Sequence, residues 1–204
     1  MARQILSICG CLESNAAPGA LNVTLYLARH ASADSLLTST PYDVPPGPPL
    51  TAVGESEARL LGEFLRSKSI AKIYSSAFLR AQRTAAAIAA CTGAPVATEA
   101  GIAEWHKDER ARDVVARVVP VLDRVATESA QLGSICLVSH GGTIGVMLRK
   151  LGMPRETVDA YWQRFGGQTP LPPAGVWLAT QRGQTAEWQL ELVFTPERVS
   201  SRGN

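Results

Sequence analysis

Val23-Thr24-Leu25-Tyr26-Leu27-Ala28-Arg29-His30-Ala31 is an apolar run that ends abruptly in a guanidinium and an imidazole. Its first six residues, Val23 to Ala28, read as a buried strand. A strand that ends in Arg-His delivers both groups to the carboxyl edge of a sheet, where open α/β folds bind ligands. Alone the pair carries little, because one His at a strand end is more often structural than chemical. The chain repeats the arrangement in Ile135-Cys136-Leu137-Val138-Ser139-His140-Gly141-Gly142, a second strand that ends in His. Two histidines in the same topological position point to one shared site, with an anion held beside a nucleophile.

Outward from the first strand the pattern alternates. Five prolines (Pro41, Pro45, Pro46, Pro48 and Pro49) rule out a helix or a central strand between Thr38 and Leu50. They predict a stiff loop framing the site, with a PxxP adaptor ligand as the other reading. Val53, Leu60, Leu61, Phe64 and Leu65 then follow helical spacing behind Thr51, a candidate N-cap. Ala71 to Tyr74 reads as a short strand, and Ser75 or Ser76 as the cap of a helix over Phe78–Cys91 that stops at Gly93. A third strand is expected at Val96–Thr98, and a helix over Arg112–Ser129 kinked or divided by Pro120. The strand Ile135–Val138, a helix Thr143–Leu151 and a shorter helix near Thr157–Gln163 follow. The chain ends in a hairpin, Gly175–Thr180 against Glu187–Leu192. This order predicts a layered α/β domain over 22–198 behind a flexible leader over 1–21.

Composition narrows the function classes. At 204 residues the chain suits one core, and 46% apolar with 19% charged residues is ordinary for a globular protein. A net charge of +2 supplies no strong field for nucleic acid or a membrane surface. The cysteines at 9, 11, 91 and 136 show neither CxxC spacing nor a framework, which predicts a reduced compartment and no zinc. No run approaches the ~18 apolar residues of a membrane span. The cytoplasm is the expected location.

The chemistry-bearing residues fall after four strands: Arg29 and His30 after the first, Arg80 after the second, Glu104 after the third, His140 after the fourth. Carboxyl ends of parallel strands share an edge, so these groups should converge. Two arginines offer planar forks for phosphate oxygens, and Gly141 and Gly142 let backbone approach an anion at a helix N-terminus. Taken singly, His140 reads equally as a helix cap, Arg80 and Arg83 as solvated helix residues, and Thr143 as an ordinary helix residue. Trp105 and His106 read either as pocket lining or as an exposed loop. Asp108 and Glu109 stand close enough to substitute for Glu104.

Four segments match one family in order and spacing: Leu25–Ala31, Pro49–Gly54, Ser76–Ala85 and Val138–Gly142. On these the chain resembles the histidine phosphatase superfamily, also called phosphoglycerate mutase-like. Pro49-Leu50-Thr51 with Ala58–Gly62, and Ala100–Lys107, look like the branch of T-cell signalling suppressor phosphatases and their fungal relatives. The resemblance implies a three-layer α/β/α fold with a mostly parallel central sheet, here with a C-terminal hairpin and a minimal cap.

It also implies a phosphomonoester hydrolase that works through a phosphohistidine on His30 and needs no metal or cofactor. Arg29, Arg80, His140 and the Gly141 backbone would hold the phosphoryl oxygens. Glu104 would protonate the leaving oxygen and then activate water. The substrate would be a phosphorylated small molecule or a phosphoprotein. A phosphoglycerate mutase-type phosphotransferase and a weakly catalytic phospho-ligand scaffold are the alternative readings.

Three departures stand out. Ala31 replaces the family's usual Gly. No polar phosphate ligand clearly follows the Arg-His loop, where Ser32 and Ser35 are candidates. The stretch between Glu104 and His140 is too short for the helical cap that many relatives insert.

Overall fold

A computed structural model describes residues 21–36, 41–167, 169–183 and 187–196. The expected leader, with Cys9 and Cys11, lies outside these apart from Leu21, which opens the first strand. Among the described residues the order is β1 (Leu21–Arg29), α1 (Ala52–Leu65), β2 (Ile70–Ser75), α2 (Leu79–Thr92) and β3 (Val96–Thr98). After a 3₁₀ turn come α3 (Ala111–Leu132), β4 (Ser134–Ser139), α4 (Gly141–Lys150), α5 (Arg155–Arg164), β5 (Val176–Gly183) and β6 (Gln189–Phe194).

The strands lie in the order β3-β2-β4-β1-β5-β6. β3, β2, β4 and β1 are mutually parallel, and the β5–β6 hairpin joins β1 antiparallel. Side chains of a strand alternate between faces, and the two faces here feed two cores. Val23, Leu25 and Leu27 of β1, Ile135 and Leu137 of β4, and Trp177 of β5 pack with residues of α3, α4 and α5. Tyr26 and Ala28, Cys136 and Val138, and Val176 pack with α1 and α2. Burial on both faces explains why β1 and β4 read as apolar runs. The result is the expected three-layer α/β/α fold with a mostly parallel sheet.

Chain flow sets the site's place. β1 leads to α1 on one face and β4 leads to α4 on the other, although β1 and β4 are neighbours. The crevice beyond their carboxyl ends is therefore a topological switch point, the usual place for a ligand in such sheets.

Two local expectations change. Pro120 does not divide α3, which runs unbroken from Ala111 to Leu132. The second helix begins at Leu79, with Phe78 at its N-cap and no side-chain cap bond. The proline-rich loop does the capping instead: the Leu79 N–H donates to the Pro46 carbonyl at 2.7 Å. No helix among the described residues is long and apolar enough to cross a membrane.

Candidate active site

Each half of the site is set by its strand end. The His30 N–H donates to the Ser139 carbonyl (2.9 Å), stitching the β1 terminus to that of β4. His30 Nδ1 lies 2.7 Å from the Ala31 carbonyl. A carbonyl only accepts, so Nδ1 carries the proton and Nε2 is the unprotonated nitrogen that holds the lone pair. Burial holds His30 well below the usual histidine pKa, and neighbouring His140, Arg29 and Arg80 push it further down. The imidazole is neutral and its tautomer is fixed.

Arg80 occupies the centre, fully buried at the start of α2. Its Nε–H donates to His30 Nε2 (3.3 Å), and its Nη2 lies 3.4 Å from Glu104 Oε2 and 3.3 Å from His140 Nδ1. Nη1 donates to the Tyr42 carbonyl at 3.0 Å. The guanidinium also faces the rings of Tyr42 (4.1 Å) and Phe78 (4.4 Å). Gly47 makes this close approach possible. It sits at φ +66°, and a Cβ there would fall 2.6 Å from Arg80 Nη1.

The two imidazole rings are 5.1 Å apart. His140 Nε2 meets the Ser76 hydroxyl at 2.8 Å, a group that complements either tautomer. Its Nδ1 lies 3.3 Å from Glu104 Oε2. Burial raises the Glu104 pKa, but the hydrogen bond and charge of His140, the Trp105 N–H and Arg80 outweigh it and bring the value to about 2. Its backbone is equally pinned: Arg117 donates to the carbonyls of Gly101, Ala103 and Glu104, and the Thr143 hydroxyl to Ala103 at 2.7 Å.

Arg29 completes the wall. Its Nη1 donates to Thr169 Oγ1 (3.0 Å) and the Leu171 carbonyl (3.1 Å), while its Nε–H is buried without a partner. Arg29, His30, Tyr42, Glu104, Gly141 and Gly142 are among the residues that line a cavity of about 570 Å³, with the fully buried Arg80 and His140 behind them.

The structure thus gathers His30, Glu104 and His140 around Arg80 and sets Arg29 and Gly141 on the cavity that His30 and Glu104 line. Asp108 is exposed beside His106, and Glu109 is taken by Arg117, so neither replaces Glu104. Arg83 is exposed and paired with Glu55. Ser32 and Ser35 line the cavity, although the Ser32 hydroxyl is engaged by Glu57. Gly141 has a packing reason to be glycine, since a Cβ there would fall 2.2 Å from Thr169 Cγ2. Sequence reasoning missed Tyr42 and Thr169, which have no periodicity or motif to mark them, and it read Ser76 as a helix cap and not as the partner of His140.

The ligand atoms of His30, Glu104 and His140 lie within 4.8 Å of one another, a spacing that suits a metal ion. The Arg80 guanidinium lies within 3.4 Å of all three residues, however, and a cation among them would meet it. Arg29 on the cavity wall and the buried Arg80 behind it set two guanidinia against one carboxylate, a balance that suits an anion.

The histidine phosphatase superfamily (branch 1) matches over residues 25–109 and 106–168. Among solved structures, a mycobacterial glucosyl-3-phosphoglycerate phosphatase superposes with a TM-score of 0.69 at 21% identity, over 85% of this chain and all of its own. A protein described as mycobacterial hydrolase 2 gives 0.68 at 21%, over 88% and 94%. Phosphoglycerate mutase from Bacillus anthracis gives 0.66 at 16%, over 86% and 94%. At such identities the likeness is one of fold. No curated protein sequence matches the chain. The suppressor-phosphatase branch stays a resemblance of a few segments, but with most of its length under one family model the chain belongs to the histidine phosphatase superfamily.

Proposed function

We propose that the protein hydrolyses phosphomonoesters through a phosphohistidine on His30. One observation carries this reading: the Ala31 carbonyl holds the proton on His30 Nδ1, which leaves Nε2 as a neutral nucleophile in a cationic cavity. Nε2 attacks phosphorus as the bond from phosphorus to the ester oxygen breaks. Arg29, Arg80 and His140 hold the three equatorial oxygens, with the unpartnered Arg29 Nε–H available to one of them. Glu104 gives its proton to the departing oxygen, then takes one from the water that cleaves the P–N bond.

In the free site Glu104 is a carboxylate. A bound phosphate draws Arg80 and His140 onto its own oxygens and adds negative charge beside Glu104. Both effects raise the carboxyl pKa. Because a phosphomonoester takes up its last proton near pH 6, substrate and Glu104 share one proton at neutral pH. The role of metal in other phosphoryl transferases falls here to guanidinium groups.

The fold admits both hydrolysis and mutase chemistry. Hydrolysis is favoured because residues 105–139 are spent on a short loop, α3 and β4, with no inserted cap. Among the described residues, the proline-rich loop walls one side of the cavity through Tyr42 without closing it. Water therefore reaches the phosphoenzyme. Release of inorganic phosphate from p-nitrophenyl phosphate in EDTA is the expected result. Efficient 3-phosphoglycerate isomerisation with added 2,3-bisphosphoglycerate would overturn hydrolysis in favour of the mutase reading, and no turnover of either would favour the scaffold.

A further inference from the structure

A second cavity, of about 340 Å³, adjoins the first. Gly142 lines both, and Glu104 in the first is followed directly by Trp105 in the second. One wall is the face of α4 that carries Gly142 and Gly145, three residues apart and so neighbours on the helix surface. A Cβ on Gly142 would meet the Trp105 indole at 3.7 Å, and one on Gly145 the Trp162 indole at 3.5 Å. Two tryptophans therefore stand over bare helix backbone beside the catalytic carboxylate. The Trp105 indole N–H is satisfied by the Glu109 carbonyl at 3.0 Å. The Trp162 N–H is buried with no partner, an uncommon state for a finished interior.

Charge adds a second requirement. Arg112, Arg149, Lys150 and Arg155 line this cavity against one acid, Asp159. Arg155 is paired with Asp159 (3.6 Å) and Arg112 with Asp113 (3.6 Å). No ion pair joins Arg149 or Lys150 among the described residues, so the excess charge is theirs. Their place in the last turn of α4 offsets the helix dipole, which accounts for their sign but not for a cavity walled by two indoles.

We propose that this cavity is the subsite for the alcohol part of the substrate, a small molecule that presents a ring face to the indoles and a second anionic group to Arg149 and Lys150. The inference rests on the phosphatase reading through Glu104. A general acid sits on the leaving-group side of phosphorus, so whatever the leaving oxygen carries must run past Glu104, toward Trp105 and Gly142. Indole faces select flat rings, and paired cations select a carboxylate or phosphate.

The test compares kcat/KM for 6-carboxy-2-naphthyl phosphate with that for ethyl phosphate. Trp162→Leu and the double variant Arg149→Glu/Lys150→Glu should each lower that ratio about tenfold, the scale of one lost aromatic or charged contact. A general loss of structure would lower both substrates together and leave the ratio unchanged, and an unchanged ratio in both variants overturns the subsite. Calorimetric titration with the product 6-carboxy-2-naphthol separates this from the chemistry. Binding that weakens in both variants supports the subsite even if no phosphate is released. Phosphate release without binding discrimination sinks the subsite and leaves the hydrolase reading intact.

Discussion

Arg80 faces the Tyr42 ring at 4.1 Å with Glu104 in reach, and Arg124 faces the Tyr74 ring at 4.8 Å with Glu99 and Glu128 in reach. The two clusters share residue types and little else. The second lies on the surface, where Arg124 is 46% exposed, and it is closed: Lys72 and Arg124 meet Glu128 and Glu99, and the Tyr74 hydroxyl donates to Glu128 at 2.6 Å. The first sets the buried Arg80 and the half-buried Arg29 against one carboxylate, and an N–H of Arg29 has no acceptor. Balanced charge in water is a fastening of small value. Unbalanced charge in a cavity is what a bound anion would complete, which is why this cluster is the candidate site. What separates the two is burial and stoichiometry, not the identity of the residues.

The sharpest way to break this contrast is to remove the nucleophile. His30→Ala should lower kcat by roughly 10⁴-fold or more with the fold retained, and the wild-type enzyme should trap an acid-labile, base-stable phosphoryl group. Label on serine or cysteine would refute the phosphohistidine. Next comes the pair of arginines. Arg80→Ala, like Arg29→Ala and His140→Ala, should cost about 10²–10³-fold in kcat. Arg124→Ala should leave turnover as it is, and a comparable loss there would erase the distinction between the clusters.

Glu104 separates proton delivery from charge balance. Nitrophenolate leaves without a proton and an alkoxide does not. Glu104→Gln should therefore cost about 10²-fold or more on an alkyl phosphate and far less on p-nitrophenyl phosphate. Equal losses would make Glu104 a positioning group.

Stability against pH distinguishes buried from exposed ionisation. Burial, with nearby cations, lowers the pKa of His30 and His140, and Glu104 falls to about 2. The unfolded chain thus takes up protons below about pH 6.5 that the folded chain refuses, and below about pH 4.5 Glu104 adds to the difference. Stability should fall as pH drops from 7.5 to 5, read as a lower urea midpoint. A His30→Asn/His140→Asn variant should show a smaller drop between the same two pH values. The smallest effect belongs to the surface: Arg124→Ala should change stability by less than about 1 kcal/mol, and by still less at 1 M salt, measured by the same urea transitions.

Elements buried on both faces were the most legible in the sequence. β1 and β4 showed as apolar runs, and their terminal histidines could be placed on one edge from topology alone. Their limits were not legible: β1 extends to Leu21 because β5 pairs with it out to Gly183, a partner far along the chain. Pro120 misled because a proline deletes one hydrogen bond without ending a helix whose apolar face is buried through Val114, Val118, Val121 and Val125. In the site, Arg80, Glu104 and His140 were readable from their places after strands. Tyr42 and Thr169 were not, because loops carry no period and contacts such as Arg29 to Thr169 span 140 residues.

The turn at Gly47 carries a consequence for change in this protein. The Tyr42 carbonyl accepts from the guanidinium proposed to hold the phosphate, Gly47 leaves room for it where a Cβ would collide, and Tyr42 also lines the cavity wall. Substrate preference and catalytic power are therefore not separate dials. A library drawn over residues 42–47 to admit new substrates would shift Arg80 along with the wall, and most of its members would lose rate on every substrate at once. Variation confined to α4, α5 and the Trp105 loop touches no partner of Arg80 apart from Glu104. New specificities should arise more readily there than in the proline-rich loop.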